Sequence, residues 1–213
     1  PADEVLGAKS ISRVTINPND ETKVYASSFF SGLLRIENEV PNFLYNQTNS
    51  GLESIAFLGP TYIDVRINGT AFDKSGNLWV TNSRIENGLK VLRSNGQWQS
   101  YSLNTIAEKS IDVSMGRMVI DKNSTKWIAS NTDGVIAFNE SGTTPTFKKI
   151  TFGSDKGNLP TTDVRALAID TNNQLWIGTT KGLRVVSNVN NFQNTTALTT
   201  KPIIILEDEV AQE

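Results

Sequence analysis

The chain has no cysteine and no histidine among its 213 residues. Those two absences remove disulfides, thiolate and imidazole metal ligands, cysteine nucleophiles and every histidine-based triad. Without cysteine, disulfide usage carries no information on compartment. Charge is also sparse: charged residues make up 20% of the chain, the net charge is -2, and no long block of one sign occurs. Neither nucleic acid nor an anionic membrane surface has an electrostatic footprint in such a sequence. The acidic segment Glu207-Asp208-Glu209 reads as solvated. Long apolar runs are missing too, since the longest aliphatic run, Ile203 to Leu206, is far short of the roughly 20 residues that span a bilayer. The chain opens at Pro1 with no charged-then-apolar leader, so any targeting signal is expected outside it. No glycine-rich turn, Gly116 in SMGRM included, leads into a Lys-Ser/Thr helix start, so there is no phosphate loop.

What the chain does have is a repeat. Trp79, Trp127 and Trp176 stand 48 and 49 residues apart, each six positions after an aspartate (Asp73, Asp121, Asp170) and shortly before a glycine (Gly88, Gly134, Gly182). A period near 50 means that one supersecondary unit has been copied and stacks on its copies to bury its faces. The units read FDKSGNLWVTN (72–82), IDKNSTKWIASN (120–131) and IDTNNQLWIGTT (169–180), with a degenerate copy, INPNDETKVYASS (16–28), ahead of them. In that copy Asn17 replaces the aspartate, Tyr25 replaces the tryptophan, and the turn is longer.

Each unit resolves into four short strands. Stretches such as Val65-Arg66-Ile67 and Met118-Val119-Ile120 precede the aspartate, which opens a hairpin turn because Asx side chains bond nearby backbone. The ring strand follows, then a glycine-centred turn and an apolar third strand such as Val135-Ile136-Ala137-Phe138. An aromatic-bearing fourth segment closes the unit: Phe43-Leu44-Tyr45, Trp98 to Tyr101, Phe147 to Ile150, and Phe192. The count is that of a propeller blade, with units at about 10–48, 62–103, 111–152 and 163–200 and the start of another at 201–213. Little helix is expected.

Two residues beyond each ring, on the same strand face, stand Ser27, Thr81, Ala129 and Gly178. A large ring beside a small neighbour lets adjacent sheets interlock, so the tryptophans read as inter-blade packing and the aspartates as turn formers. One isolated carboxylate per repeat offers no acid–base pair and no calcium cluster, and no spacing nominates a Ser–Lys site. No catalytic residue, metal site or cofactor is expected. Acceptor sequons at Asn46, Asn68, Asn123, Asn139 and Asn194 follow from composition.

A binding site belongs on the face where the second-to-third-strand loops open. Those loops hold Phe29, Phe30, Arg84, Asp133 and Lys181 as candidate ligand-binding residues. Phe29 and Phe30 stand out, because adjacent aromatics cannot both point into one sheet face. The linkers at 46–61 and 151–162 add to the same end.

The pattern is fullest in VRALAIDTNNQLWIGTTKGLRVV (164–186), which resembles the two-component-regulator propeller repeat of bacterial sensor kinases and surface proteins, chiefly of the Bacteroidetes. The resemblance covers about residues 10–200 and is weakest in the first unit. It implies an all-β protein, part of a seven- or eight-bladed β-propeller, on the extracytoplasmic side. The closing stretch, FQNTTALTTKPIIILEDEVAQE (192–213), is similar to the PorZ-type family of the type IX secretion apparatus, which implies a cell-surface component helping to attach secreted proteins to lipopolysaccharide.

Three functions follow in order of support: a non-enzymatic propeller contacting protein or glycan, the ligand-sensing ectodomain of a hybrid two-component regulator, and a propeller-type lyase or glycosidase, against which the missing histidine counts. Four blades also leave two outer sheet faces uncovered. Two chains meeting at these blades, as an eight-bladed ring about a two-fold axis, would hide them, as would closure of one chain into a four-bladed ring.

Overall fold

In the computed structural model, which describes residues 5–194, 197–207 and 210–212, the repeat becomes four antiparallel sheets of four strands each. Asp208 and Glu209 of the acidic segment lie outside the described residues. The first sheet is β1 (Ile11–Ile16), β2 (Lys23–Ser28), β3 (Gly32–Glu37) and β4 (Val40–Tyr45). The second is β5 (Ile67–Phe72), β6 (Leu78–Asn82), β7 (Leu89–Leu92) and β8 (Trp98–Tyr101). The third is β9 (Met115–Ile120), β10 (Lys126–Ser130), β11 (Gly134–Asn139) and β12 (Thr146–Ile150). The fourth is β13 (Val164–Ile169), β14 (Leu175–Thr179), β15 (Gly182–Val186) and β16 (Lys201–Pro202), and a separate pair joins β17 (Ile205–Glu207) to β18 (Val210–Gln212). Strands neighbour one another in chain order, the signature of consecutive hairpins. Helix among the described residues is confined to short 3-10 turns such as Ala56–Leu58, Ser110–Asp112 and Val189–Asn191.

The first hairpin of each unit shows why aspartate and tryptophan travel together. In the second sheet one Asp73 carboxylate oxygen accepts the backbone N–H groups of Ser75 (2.9 Å) and Asn77 (3.0 Å), and the other accepts the Trp79 indole N–H at 2.8 Å. Asp121 repeats this with Asn123, Thr125 and Trp127, and Asp170 with Asn172, Gln174 and Trp176. The carboxylate is therefore more than a turn former. It also satisfies the one polar atom of an otherwise buried indole. In the degenerate first unit Asn17 keeps the turn role, accepting from the Asn19 N–H at 3.0 Å, and Tyr25 has no indole to tie.

Burial, the largest single influence, pushes the Asp73 carboxyl up, but the bonds from Trp79, the Asn77 side chain and the Asn77 and Ser75 N–H groups together outweigh it and hold it below its ordinary 3.8. Asp170 is held low as well, first by Trp176 and then by the Gln174 N–H. A carboxyl depressed by folding adds stability that is fully present above its ordinary value and is lost as pH falls through the folded one. Unfolding free energy is thus expected to hold level from neutrality to about pH 4 and then to fall. Asp73→Asn, which turns an amide N–H toward the indole N–H, is expected to cost about 1–3 kcal/mol at pH 7 and to shallow the acid limb. Denaturant titrations at a series of pH values read both effects; an unchanged acid limb in the variant would contradict this origin.

The chain divides into two compact units, residues up to Met115 and residues from Gly116. In the first, Tyr25 and Leu33 of the first sheet pack on Ile67, Leu78, Val80 and Leu92 of the second, with Leu52 and Val65 of the linker completing the core. In the second, Trp127, Ala129, Val135 and Ala137 of the third sheet pack on Leu167, Leu175, Ile177 and Val186 of the fourth. Ala129 beside Trp127 is the expected small partner. Both interfaces share one grammar, in which the ring-bearing face of the earlier sheet meets the aliphatic face of the later one.

Three expectations need correction. The Phe192 segment is not a fourth strand: Val189–Asn191 form a 3-10 turn that tips Phe192 into the core, 6.1 Å from the Trp127 ring, and the fourth strand is Lys201–Pro202, paired to Arg184 and Val185. Val65 and Arg66 are not part of a strand; β5 starts at Ile67, and Val65 instead bridges Ser31 of the β2–β3 loop. Trp79 and Trp127 are fully buried, whereas Trp176 is only half-buried, since neither described core includes its face of the fourth sheet.

Candidate functional site

The loops after the second strands are set by a polar side chain at the strand end. Ser28 Oγ accepts the N–H groups of Phe30 (3.3 Å) and Ser31 (2.9 Å), and Ser130 Oγ accepts those of Thr132 (3.2 Å) and Asp133 (3.0 Å). Thr179 does the same for Lys181 at 3.0 Å. Asn82, in the equivalent place, instead exchanges two hydrogen bonds with the Glu53 backbone of the linker. This end-of-strand hydroxyl or amide, at Ser28, Asn82, Ser130 and Thr179, is a sequence signal for the loop that follows.

Each incoming linker then docks on the loops. Val65 donates to Phe30 O and accepts from Gly32 N–H, both at 3.0 Å, and Ser83 N–H donates to Arg66 O at 2.9 Å. In the second unit Gly134 N–H donates to Thr162 O and Thr180 N–H to Asp163 O. Glycine is required here: Gly32 (φ +100) and Gly134 (φ +82) lie so close to the next strand that a Cβ would sit 2.1 Å from Tyr45 O and 2.2 Å from Ile150 O.

In the first unit the docking gathers aromatic rings and guanidinium groups. Phe29 and Phe30 are half-buried and meet edge to face, with centroids 5.0 Å apart, so neither is buried within a single sheet face. Arg66 lies 5.0 Å above the Phe29 ring while its guanidinium pairs with the fully buried Asp64 at 2.8 Å. Arg84 stands 4.7 Å above the Phe57 ring, and its Nε lies 3.4 Å from Ile111 O. Its backbone is left-handed (φ +62) and anchored by a bond to Val113 O. A non-glycine residue in that region costs energy that the surrounding loops hold in place. Phe57 is 51% exposed and Ile111 44% exposed. Arg84 therefore presents a cation over an exposed ring beside an exposed aliphatic chain, and among the described residues no carboxylate is bound to it.

The linker beneath is rigidly held. Lys90 of β7, almost fully buried, donates to the Glu53 carboxylate and to Ser100 Oγ at 3.1 Å, and burial lowers its pKa from the ordinary 10.5. The other candidates stand in the second unit. Asp133 pairs with Lys149 at 3.2 Å and accepts from Thr132 at 2.8 Å, which makes it a fixed loop support, and Lys181 lies exposed at the tip of its turn. The partners Arg66 and Phe57 were missed by sequence reasoning, Arg66 because it read as a residue of the strand before the aspartate and Phe57 because it lies in a linker with no repeat register.

A concavity of about 390 Å³ opens between the first two sheets at the hairpin end, opposite these loops. Lys23, Arg35 and Arg93 line it with Tyr25, Tyr45 and Phe72, but Lys23 is paired to Asp20 and Arg35 is held by Asn42. Among the described residues no three acidic groups come close enough to hold a metal, and no helix is long and apolar enough to cross a membrane.

Residues 158–181 match the family described as the two component regulator propeller. No curated protein matches the sequence. Among solved structures the fold is similar to PorZ, a surface component of the type IX secretion system of Porphyromonas gingivalis, with TM-score 0.81 and 20% identity over 99% of this chain and 30% of that one. It is similar to an extracellular domain assigned to a hybrid two-component system of B. thetaiotaomicron (TM-score 0.62, 16% identity, 91% of this chain and 23% of that one). It also matches virginiamycin B lyase of Staphylococcus aureus (TM-score 0.63, 16% identity, 93% of this chain and 57% of that one). The chain thus spans less than a third of the first two proteins and somewhat over half of the lyase. At such identities the likeness shows the fold alone: an all-β protein of propeller type with four four-stranded sheets, the fourth of which carries the matched repeat.

Proposed function

We propose that this protein is a non-enzymatic, extracytoplasmic propeller module that binds a protein or a cell-surface glycan through the loop end of its first two sheets, in the setting of type IX secretion and surface attachment of cargo. The observation that carries the reading is the Phe57–Arg84 platform: an exposed ring under a guanidinium that no carboxylate among the described residues neutralises, on a backbone held in a left-handed conformation. Aromatic and arginine groups concentrate binding energy when a partner desolvates them. The likeness to PorZ supports the setting, and the surface or extracellular character of the first two matched proteins supports the location.

Surface-plasmon measurements test it with two probes, lipopolysaccharide from a type IX-secreting bacterium and a secreted cargo protein of that bacterium. Saturable binding to at least one is expected, weakened about tenfold or more by Phe57→Ala with Arg84→Ala. Undiminished binding by the double variant would move the site elsewhere.

The second reading, a ligand-sensing ectodomain, is favoured by the repeat match and by the two-component likeness. It is separated by a small soluble ligand that raises the melting temperature where the macromolecular probes do not. The lyase likeness supports an enzyme less well. That structure is of a histidine-to-alanine variant described as catalytically inactive, and this chain has no histidine.

A further inference from the structure

The concavity between the first two sheets arises where the first unit departs from the repeat. In the second compact unit the Trp127 indole fills the junction of its two sheets and is tied to Asp121. Its counterpart in the first sheet, Tyr25, is a smaller ring with no carboxylate to tie it, and about 390 Å³ stays open between it and the second sheet. Small-molecule sites typically measure about 300–1,000 Å³. Both walls are neighbouring sheets of one compact unit. Buried Tyr25, Leu78 and Leu92 form the floor with Phe72, which meets the Tyr25 ring edge to face at 5.7 Å. Exposed Asn19 and Ser94 stand at the rim, where the two first hairpin turns approach so closely that a Cβ on Gly76 would lie 3.0 Å from Asn19 Nδ2.

Two polar groups on the wall are left for a ligand. Tyr25 is 7% exposed, and among the described residues its hydroxyl has no hydrogen-bond partner. A buried hydroxyl in that state carries a desolvation cost that a ligand oxygen would offset. Burial, and after it Tyr45, push the phenol above its ordinary 10.0, so it stays protonated and can donate. Arg35 lies directly opposite Tyr25 on the adjoining strand, which places the two side chains on one sheet face with Cβ atoms about 5 Å apart. Its guanidinium is oriented by neutral groups, Nε donating to Asn42 Oδ1 at 3.0 Å and Nη1 to the Tyr45 hydroxyl at 3.4 Å, and among the described residues no carboxylate pairs with it. The other two cations of the wall are engaged elsewhere. Lys23 lies between Asp20 and Glu37, and Arg93 turns to the opposite face of the second sheet, over Trp79 and onto Gln99 and Tyr101. No acidic residue lines the concavity.

We infer that this concavity binds a small aryl carboxylate, its ring against Phe72, Leu78 and Leu92 and its carboxylate on the Arg35 guanidinium and the Tyr25 hydroxyl. A guanidinium matches the geometry of a carboxylate, and one cation with one neutral donor matches a single negative charge. The apolar floor suits a flat ring, whereas the ring hydroxyls of a sugar acid would lose their water there without gaining partners. The site stands at the end opposite the Phe57–Arg84 platform and does not rest on the function proposed for that platform.

Calorimetric titration of the chain with phenylacetate tests it, beside 2-phenylethanol, which keeps the ring and lacks the charge, and glucuronate, which keeps the charge and replaces the flat ring with hydroxyls. Phenylacetate is expected to bind saturably, with both comparison compounds weaker by about tenfold or more. Arg35→Gln and Tyr25→Phe are each expected to weaken phenylacetate by about tenfold. Tyr25→Phe is also expected to leave the melting temperature of the free chain unchanged, because the hydroxyl it removes has no partner in the fold; a structural hydroxyl would not behave so. The variant carrying Phe57→Ala and Arg84→Ala is expected to bind phenylacetate as the wild type does, which keeps this result distinct from that of the platform. No saturable binding of phenylacetate, a comparison compound that binds as tightly, full affinity in the Arg35 or Tyr25 variant, or a destabilised Tyr25→Phe overturns the inference.

Discussion

Trp127→Ala is expected to lower the unfolding free energy by roughly 3–5 kcal/mol, the range for removing a large buried aromatic side chain. The indole is fully buried, packs beside Ala129 against the fourth sheet, and meets Phe192 edge to face at 6.1 Å. Its removal opens a cavity that the surrounding sheets cannot collapse into, and it leaves one Asp121 oxygen without the 3.0 Å indole bond. Trp176→Ala should cost clearly less, because the same side chain in the same register is only half-buried. Chemical denaturation of the two variants gives the comparison. Equal losses would mean that inter-sheet packing is not what the repeated tryptophan supplies.

Gly134→Ala is the second large effect. The φ of +82 already disfavours any Cβ, and here the added atom would lie 2.2 Å from Ile150 O and 3.2 Å from Leu159 Cδ1. Backbone cannot yield as a flexible side chain does, so the β11–β12 pairing that sets Val135 opposite Ile150 must shift. The expected loss is above about 3 kcal/mol, beyond the 1–3 kcal/mol of an unfavourable backbone conformation alone. Gly96 is the control, since its φ is +86 and nothing lies within 4 Å of the added atom. Gly96→Ala should cost only about 1 kcal/mol. If thermal or denaturant unfolding finds the two substitutions alike, the close approach of loop and strand is not what selects glycine at this place in the repeat.

The repeat made most of the fold legible in the sequence. Hairpin turns depend on local chemistry, and a motif copied every 48 or 49 residues states that chemistry several times over. The features that escaped depend on contacts between distant segments. The indole bond of Asp73 could have been read from the constant six-residue spacing, but Gly88 could not: its Cβ would collide with Leu103 and Met115, a packing reason unlike the tight turn at Gly134. Phe192 passed for a strand residue because it is aromatic and follows the third strand, yet the asparagines before it favour a turn. Of the five candidate loop residues, Phe29, Phe30 and Arg84 belong to the first compact unit, where Arg66 stacks on Phe29 and Phe57 on Arg84; the Asp64–Arg66 pair recurs as Asp163–Arg165, but Phe57 comes from a linker without a repeat register. Asp133 and Lys181 share the loop position but not that setting, one being tied to Lys149 and the other standing alone at a turn tip.

The Phe57–Arg84 platform is the center of the functional reading, and hydrogen-exchange footprinting of the full chain, with and without saturating lipopolysaccharide or cargo protein, tests it most directly. The account predicts slowed exchange at the segments around Phe57, Arg84 and Ile111, with the hairpin end around Lys23, Arg35 and Arg93 unchanged. Protection at that opposite end, with the loop segments exchanging as before, would contradict it.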